Sequence, residues 1–278
     1  MSLFILGAVL CAALLHAMWN GLVRSGARRV HVMMVLSAVQ GGIGLALALT
    51  RPLPGPAVLP WLLASGLVHS AYKCFLTYAY EHGDLSRVYP LARGTAPMIV
   101  LTVGGLFLGD RLGGAEVVGI LTLGLGILVL ASGVFTSGES QRLLPYAFGA
   151  AAATAGYSML DGMGARIGGD PAAFVGWMFV LDGLIFAAVM TGLRGRDAWP
   201  QPGRIWAVGS LGAAASYASY AIVVWAMTQA PIALVAAMRE TSIVFGVLIG
   251  WLLFMERMTP AKALSVGLIA AGVIITRL

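Results

Sequence analysis

The chain has 278 residues, of which 59% are apolar and only 10% charged; 17 Lys and Arg against 11 Asp and Glu leave a net charge of +6. Soluble domains average roughly 25% charged and 45–50% apolar residues. This composition excludes a water-soluble globule, a disordered chain, a collagen and a basic nucleic-acid binder, because too few charges remain to cover so much apolar surface. The surplus of positive charge points to membrane orientation rather than to a polyanionic partner. Cys11 and Cys74 both lie in apolar runs, so neither a disulfide framework nor a metal-binding spacing is present.

A transmembrane helix needs about 20 mostly apolar residues. Ten such runs follow one another, at 3–23, 31–50, 59–80, 87–108, 114–134, 144–165, 171–193, 204–227, 231–254 and 260–276. The expected fold class is therefore an all-α integral membrane protein. The separators are short: a basic RSGARR, a proline-containing RPLPGP, a polar SGESQR and, as the longest, RGRDAWPQPGR. None has room for a soluble domain. The first run lacks a charged leader and is expected to stay as a helix rather than to be cleaved.

The chain also repeats itself. At an offset of 146, Arg93 falls on Arg239, Thr95 on Thr241, Asp110-Arg111 on Glu256-Arg257, Ala115 on Ala261 and Gly126 on Gly272. Upstream, Gln40-Gly41 matches Asp182-Gly183 and Asn20-Gly21 matches Asp161-Gly162 at slightly smaller offsets. Two units are expected, 1–136 and 143–278, each of five helices and together one membrane domain. An odd number of helices inserts the second unit upside down relative to the first. Inverted repeats are the architecture of alternating-access transporters, with the substrate near the midplane.

On these residues the chain resembles the drug/metabolite transporter superfamily, in its EamA-type ten-helix branch. The resemblance rests on LFLGDRLGGAEVVGILTLGLGILVL (106–130), its partner LLFMERMTPAKALSVGLIAAGVIIT (252–276), HAMWNG (16–21) and ARGTAP (92–97). It implies a transporter with a central cavity lined mainly by the first, third, fourth, sixth, eighth and ninth helices. It implies no particular substrate.

An ionisable side chain at the bilayer centre costs at least about 2.5–3.5 kcal/mol and needs a partner or a watery cavity. Six fall inside the expected spans: Lys73, Arg93, Asp161, Asp182, Arg239 and Glu240. The plain alternative to function is that they pair among themselves and fix helix packing, most of all Asp182. Arg93 and Arg239 occupy the same place in each unit, and a guanidinium suits a carboxylate or phosphate. They are the expected anion site, with Lys73 beside them. Glu240 projects about 100° from Arg239 on a helix, so the two need not pair. Glu240, Asp161 and Asp182 are the candidates for a coupling or proton site, since an apolar setting favours the protonated carboxyl.

Trp19 and Asn20, with His16, share a face of the first helix; Tyr72 lies on the third and Tyr217 and Tyr220 on the eighth. The resemblance places these among substrate-binding residues, against a bland reading as packing or interface aromatics. His31, His69 and His82 lack metal-like spacing and read as ordinary polar groups. Pro90 and Pro97 lie in the fourth run, where a mid-helix proline bends the helix and makes a gate or hinge. Gly105/Gly109 and Gly246/Gly250 are spaced for close helix crossing.

The expected function is a secondary transporter of a small polar metabolite, an amino-acid-like zwitterion or an organic anion. The alternative is a proton-coupled exporter of cationic drugs or quaternary amines. No nucleophile–base set, nucleotide loop or metal pair supports an enzyme, and no cofactor is implied. Expected partners are the substrate, the bilayer (a bacterial inner membrane) and a coupling proton or counter-substrate. A homodimer stays open, and no nucleic acid is expected. Loop charges, ten Lys and Arg on one side against four on the other, place both termini outside by the positive-inside rule. The resemblance implies both termini inside, and the two readings disagree.

Overall fold

The computed structural model describes residues 1–22, 28–82, 96–107, 111–132, 143–201 and 203–278. All regular structure among them is helical: α1 (Leu3–Leu22), α2 (Arg29–Ala48), α3 (Leu59–His82), α4 (Ala96–Phe107), α5 (Gly114–Ala131), α6 (Leu143–Gly168), α7 (Pro171–Arg194), a short 3₁₀ turn, α8 (Arg204–Gln229), α9 (Ile232–Arg239), α10 (Ser242–Phe254) and α11 (Pro260–Ile275).

Helix boundaries follow from local chemistry. Asp170 caps α7, accepting from the Ala172 and Ala173 N–H groups at 3.0 Å, with Pro171 in the first position where no N–H is needed. Thr259 and Pro260 start α11 in the same way. The N–H of Gly113 donates to Glu116 at the start of α5. Gly195 closes α7 at φ 60°, a conformation that costs glycine nothing.

Among the described residues, six segments are long and apolar enough to cross a membrane, lying in α1, α2, α5, α7, α8 and the stretch Ile232–Leu252. The helices α3 and α6 have the length but carry more polar groups: Ser65, His69, Ser70 and Lys73 on one, Thr154, Ser158 and Asp161 on the other. The stretch 231–254, expected as one helix, is two. The ladder breaks at Glu240–Thr241, where i→i−3 bonds replace the helical pattern: Glu240 N donates to Ala237 O, and Thr241 N to Met238 O. Thr241 Oγ1 also donates to Met238 O at 2.7 Å, the kind of local side-chain bond that competes with a helix. Pro97 is the second described residue of α4; residues 83–95, which include Pro90 and the segment where a bend at Pro97 would lie, are outside those described.

Ionisable groups lie inside the molecule and apolar side chains cover its outer faces. Val118, Leu121, Leu125 and Leu128 form an i, i+3, i+7, i+10 stripe on the outer face of α5, each 44–53% exposed. Lys73, Asp161, Asp182, Arg239 and Glu240 are 0–6% exposed. Water would reject that arrangement, whereas hydrocarbon selects it.

The main helix pairings cross between the halves of the chain: α2 with α7, α3 with α6, α1 with α8, and α5 with α11. Exchanging the halves maps α3–α6 onto α8–α1 and α3–α7 onto α8–α2, while α2–α7 and α5–α11 map onto themselves. The two self-paired crossings depend on glycine. A Cβ on Gly44 would sit 2.5 Å from the Gly176 carbonyl oxygen, and one on Gly272 2.6 Å from that of Gly119. Gly246, by contrast, faces open space, and a Cβ on Gly250 would approach only the Glu256 carboxylate. Close crossings thus lie at Gly41/Gly44 with Gly176/Gly183 and at Gly119/Gly126 with Gly272, not at Gly246/Gly250; Gly109 lies outside the described residues.

Overpacking a tight crossing costs about 1–3 kcal/mol or more. Gly44→Leu is expected to lower the unfolding midpoint in detergent by about 5 °C or more. Gly246→Ala, which enters open space, is expected to leave it unchanged within about 2 °C. Equal midpoints for the two variants would contradict the assigned crossings.

Candidate functional site

A cavity of about 70 Å³ opens between α1, α2, α3, α6, α7, α8 and the end of α9. Trp19, Tyr72, Tyr157, Phe179 and Tyr220 give it aromatic walls. Gln40, Ser216, Ser219, His16, His69, Lys73 and Arg239 give it polar ones. The helices α1, α2, α3 and α8 contribute through i, i+3 or i, i+4 spacing, as with His69, Tyr72 and Lys73 on α3 or Ser216, Ser219 and Tyr220 on α8, while α6, α7 and α9 give one residue each.

Three buried charge groups surround it. In the first, Lys73 Nζ contacts the Asp182 carboxylate of α7 and donates to Ser37 Oγ at 2.8 Å and Gln40 Oε1 at 3.4 Å. Ser70 Oγ donates to the carbonyl and carboxylate oxygens of Asp182, at 3.1 and 3.2 Å. Gln40 Nε2 donates onward to Ser216 Oγ at 3.0 Å, tying α2 to α8. Asp182, expected to bond a neighbouring helix, does so.

The second group is centred on Asp161 of α6. Its carboxylate accepts from the hydroxyls of Ser65 and Tyr220 and meets His69 Nε2 at 2.8 Å. The His69 ring stacks on Tyr157 at 4.0 Å and lies edge-on to Tyr220 at 5.2 Å. In the third group, Arg239 Nη2 lies 3.5 Å from Glu240 Oε1, and the guanidinium lies over the Tyr157 ring, 5.7 Å from its centroid. On a continuous helix Arg239 and Glu240 need not pair; here, with the helix ending at Arg239, they form an ion pair.

The residues singled out from the sequence divide accordingly. Arg239, Lys73, Trp19, Tyr72 and Tyr220 line the cavity. Trp19 Nε1 donates to His16 Nδ1 at 3.3 Å and holds its indole edge-on to the imidazole. Asn20 is turned back on its own helix, donating to the His16 carbonyl at 2.7 Å, and is not a lining residue. Tyr217 packs against Phe179, with ring centroids 5.1 Å apart, behind the wall. Glu240, Asp161 and Asp182 are buried next to the cavity without lining it. Arg93 and Pro90 lie outside the described residues. Sequence reasoning passed over His69, Tyr157 and Gln40. Their signal was present: Ser65, His69 and Lys73 run in steps of four along α3, and Tyr157 and Asp161 do so on α6.

The model of the EamA-like transporter family matches the sequence twice, over residues 2–132 and 142–278. The chain belongs to the EamA-like transporter family. As an EamA-like chain with long apolar helices, it is an integral membrane protein carrying two EamA repeats. No curated protein matches it. Among solved structures, one crystal structure resembles it with a TM-score of 0.75 over 98% of each chain, at 20% identity, a likeness of fold.

Breaking a buried ion pair by removing one partner costs about 3–5 kcal/mol, whereas replacing both with apolar groups is close to neutral. Lys73→Met and Asp182→Leu are each expected to destabilise the EamA-like protein by about that amount, and the double variant by less than either. Unfolding midpoints in one detergent give the cycle; additive losses would show the pair to be uncoupled.

Proposed function

We propose that the chain is a secondary transporter that moves a small polar metabolite with an anionic group, a zwitterion or an organic anion, by alternating access. One observation carries the substrate class. Both charged side chains that line the cavity among the described residues, Lys73 and Arg239, are cationic, and no carboxylate lines it. Lys73 is clamped by Asp182, Ser37 and Gln40. Arg239 ends α9 and faces the cavity with a fork of donors matched to a carboxylate or phosphate. The aromatic walls take the apolar part of the substrate.

Two features support alternating access: the helix pairings that survive exchange of the halves, and the break between α9 and α10 beside the site. The five aromatic rings favour a second reading, a site for quaternary amines or other cationic drugs. A cation site of that kind, however, sets its carboxylate at the wall, and here Asp161 and Asp182 are covered by their partners.

A thermal-shift screen of the purified protein separates the two readings. Amino acids, organic carboxylates and organic phosphates are expected to raise the unfolding midpoint of the wild type. Arg239→Gln is expected to weaken their binding at least about 30-fold, the scale of losing a buried charge contact, and to abolish uptake of the bound compound into proteoliposomes. Stabilisation by quaternary amines that survives Arg239→Gln would overturn the anion reading in favour of the cationic one.

A further inference from the structure

We infer that the 3₁₀ turn after α7 and the neighbouring starts of α2 and α8 form a binding site for an anionic phospholipid. Arg28, Arg196 and Arg204 hold its phosphate, and its acyl chains lie along the outer face of α8. The site stands apart from the cavity and is independent of the transport reading.

The longest separator, RGRDAWPQPGR, carries three arginines and one aspartate over residues 194–204. Its 3₁₀ turn, Gly195–Ala198, is pinned from two sides. His31 Nε2 donates to the Asp197 carbonyl at 2.9 Å and ties the turn to α2. Trp199 Nε1 donates to Thr191 Oγ1 at 2.9 Å and ties it to α7. Ala198 is fully buried, in one cluster with Val30, Met34 and Met190. A turn fixed in this way presents its charges in place, so little ordering is left to oppose binding.

Three arginines converge at this end of the molecule. The starts of α2 and α8 run side by side in the same direction: Ile205 packs with Val32 and Leu36, and a Cβ on Gly209 would stand 2.6 Å from Val35. Counted back from that crossing, Arg28 and Arg204 stand at nearly the same level, about 3 Å apart along the helix direction. Arg196 precedes Asp197, whose carbonyl is bonded to His31 in the first turn of α2. All three arginines are exposed. Among the described residues their guanidinium groups have no ion-pair or hydrogen-bond partner. At the opposite end of the helices, by contrast, Arg51 meets Asp170 at 3.5 Å and Arg277 donates to the Met1 carbonyl. A guanidinium fork matches the oxygens of a phosphate diester. The exposed Asp197 carboxylate offsets one of the three charges and leaves an excess of two. A zwitterionic headgroup brings its own cation and gains less from that excess.

The apolar half of a lipid is matched below. Arg204, Ala207, Leu211, Ala214 and Ala218 recur at i, i+3, i+7, i+10 and i+14, and all are exposed, Leu211 by 67%. The stripe starts under an arginine and runs about 20 Å along the helix, with small side chains that let an acyl chain lie close. Trp199, 37% exposed with its N–H engaged, lies at the level where tryptophan anchors to headgroups.

The test is native mass spectrometry of the whole protein in detergent, titrated with dioleoylphosphatidylglycerol or dioleoylphosphatidylcholine. The wild type is expected to bind the phosphatidylglycerol at least about tenfold more tightly. Arg28→Gln, Arg196→Gln and Arg204→Gln are each expected to weaken that binding about fivefold, the effect of one basic residue near an anionic headgroup, and to leave phosphatidylcholine binding unchanged. Arg111→Gln removes an exposed arginine at the opposite end and is expected to change neither. Equal affinity for the two lipids in the wild type overturns the site. So does a loss in Arg111→Gln equal to that in the other three variants, which would show a diffuse effect of net charge. Leu211→Gln is expected to weaken both lipids alike; unchanged binding of both would overturn the place assigned to the acyl chains. Glycerophosphoglycerol, the same headgroup without chains, is expected not to bind at the lipid's concentrations. Binding as tight as the lipid's would overturn the lipid in favour of a free phosphate ligand.

Discussion

An ion placed among hydrocarbon must find its counter-charge within the protein, because no water is there to supply one. The interior of this molecule is organised by that constraint. Lys73 and Asp182 bridge α3 and α7, Asp161 holds α3, α6 and α8 through Ser65, His69 and Tyr220, and Arg239 and Glu240 lie together at the end of α9. These contacts fix the rotation of each helix about its axis more firmly than apolar packing could, since lipid tails and leucine side chains attract a helix face about equally. Leucines cover much of the outer surface, and the cavity forms where the polar faces meet.

Between the halves the cohesion is of another kind. Along α2–α7 and α5–α11 the backbones approach through glycine, and dispersion over long close contacts replaces the hydrophobic drive that bilayers lack. The same two pairings map onto themselves when the halves are exchanged. The cavity lies among the other pairings, α1–α8 and α3–α6, which exchange with each other. The two repeats therefore clasp each other along glycine seams and enclose their polar groups between them.

Much of this was legible in the sequence, for stated reasons. Apolar runs gave the helix positions because the bilayer demands length and composition together. The match of Arg93 to Arg239 and of Asp110-Arg111 to Glu256-Arg257 exposed the repeat that the two family matches also record. Lys73, Asp161, Asp182, Arg239 and Glu240 stood out because charge within such runs is rare, and all five are buried. What escaped depends on pairing across helices or on local backbone competition. His69 looked ordinary until Asp161, 92 residues later, came to lie 2.8 Å from its ring. Asn20 looked like a lining residue but bonds its own helix. The break at Glu240–Thr241 carries no proline to announce it; there the Thr241 hydroxyl bonds the Met238 carbonyl. A straight helix left the pairing of Arg239 with Glu240 open, and they lie 3.5 Å apart. Glycine pairs were misjudged for a simpler reason: spacing says which glycines share a face, not which face meets a neighbour.

The break has an electrical consequence. The eight residues of α9 rise about 12 Å, so Arg239 lies roughly that far along its span, near the middle of a hydrocarbon core about 30 Å thick. An anion reaching that depth alone crosses part of the transmembrane field, which exerts about 2.3 kcal/mol per charge per 100 mV over the full span. Loading of a charged ligand at that depth responds to the voltage across the membrane as well as to its own chemical gradient, whereas loading of a zwitterion responds to the gradient alone.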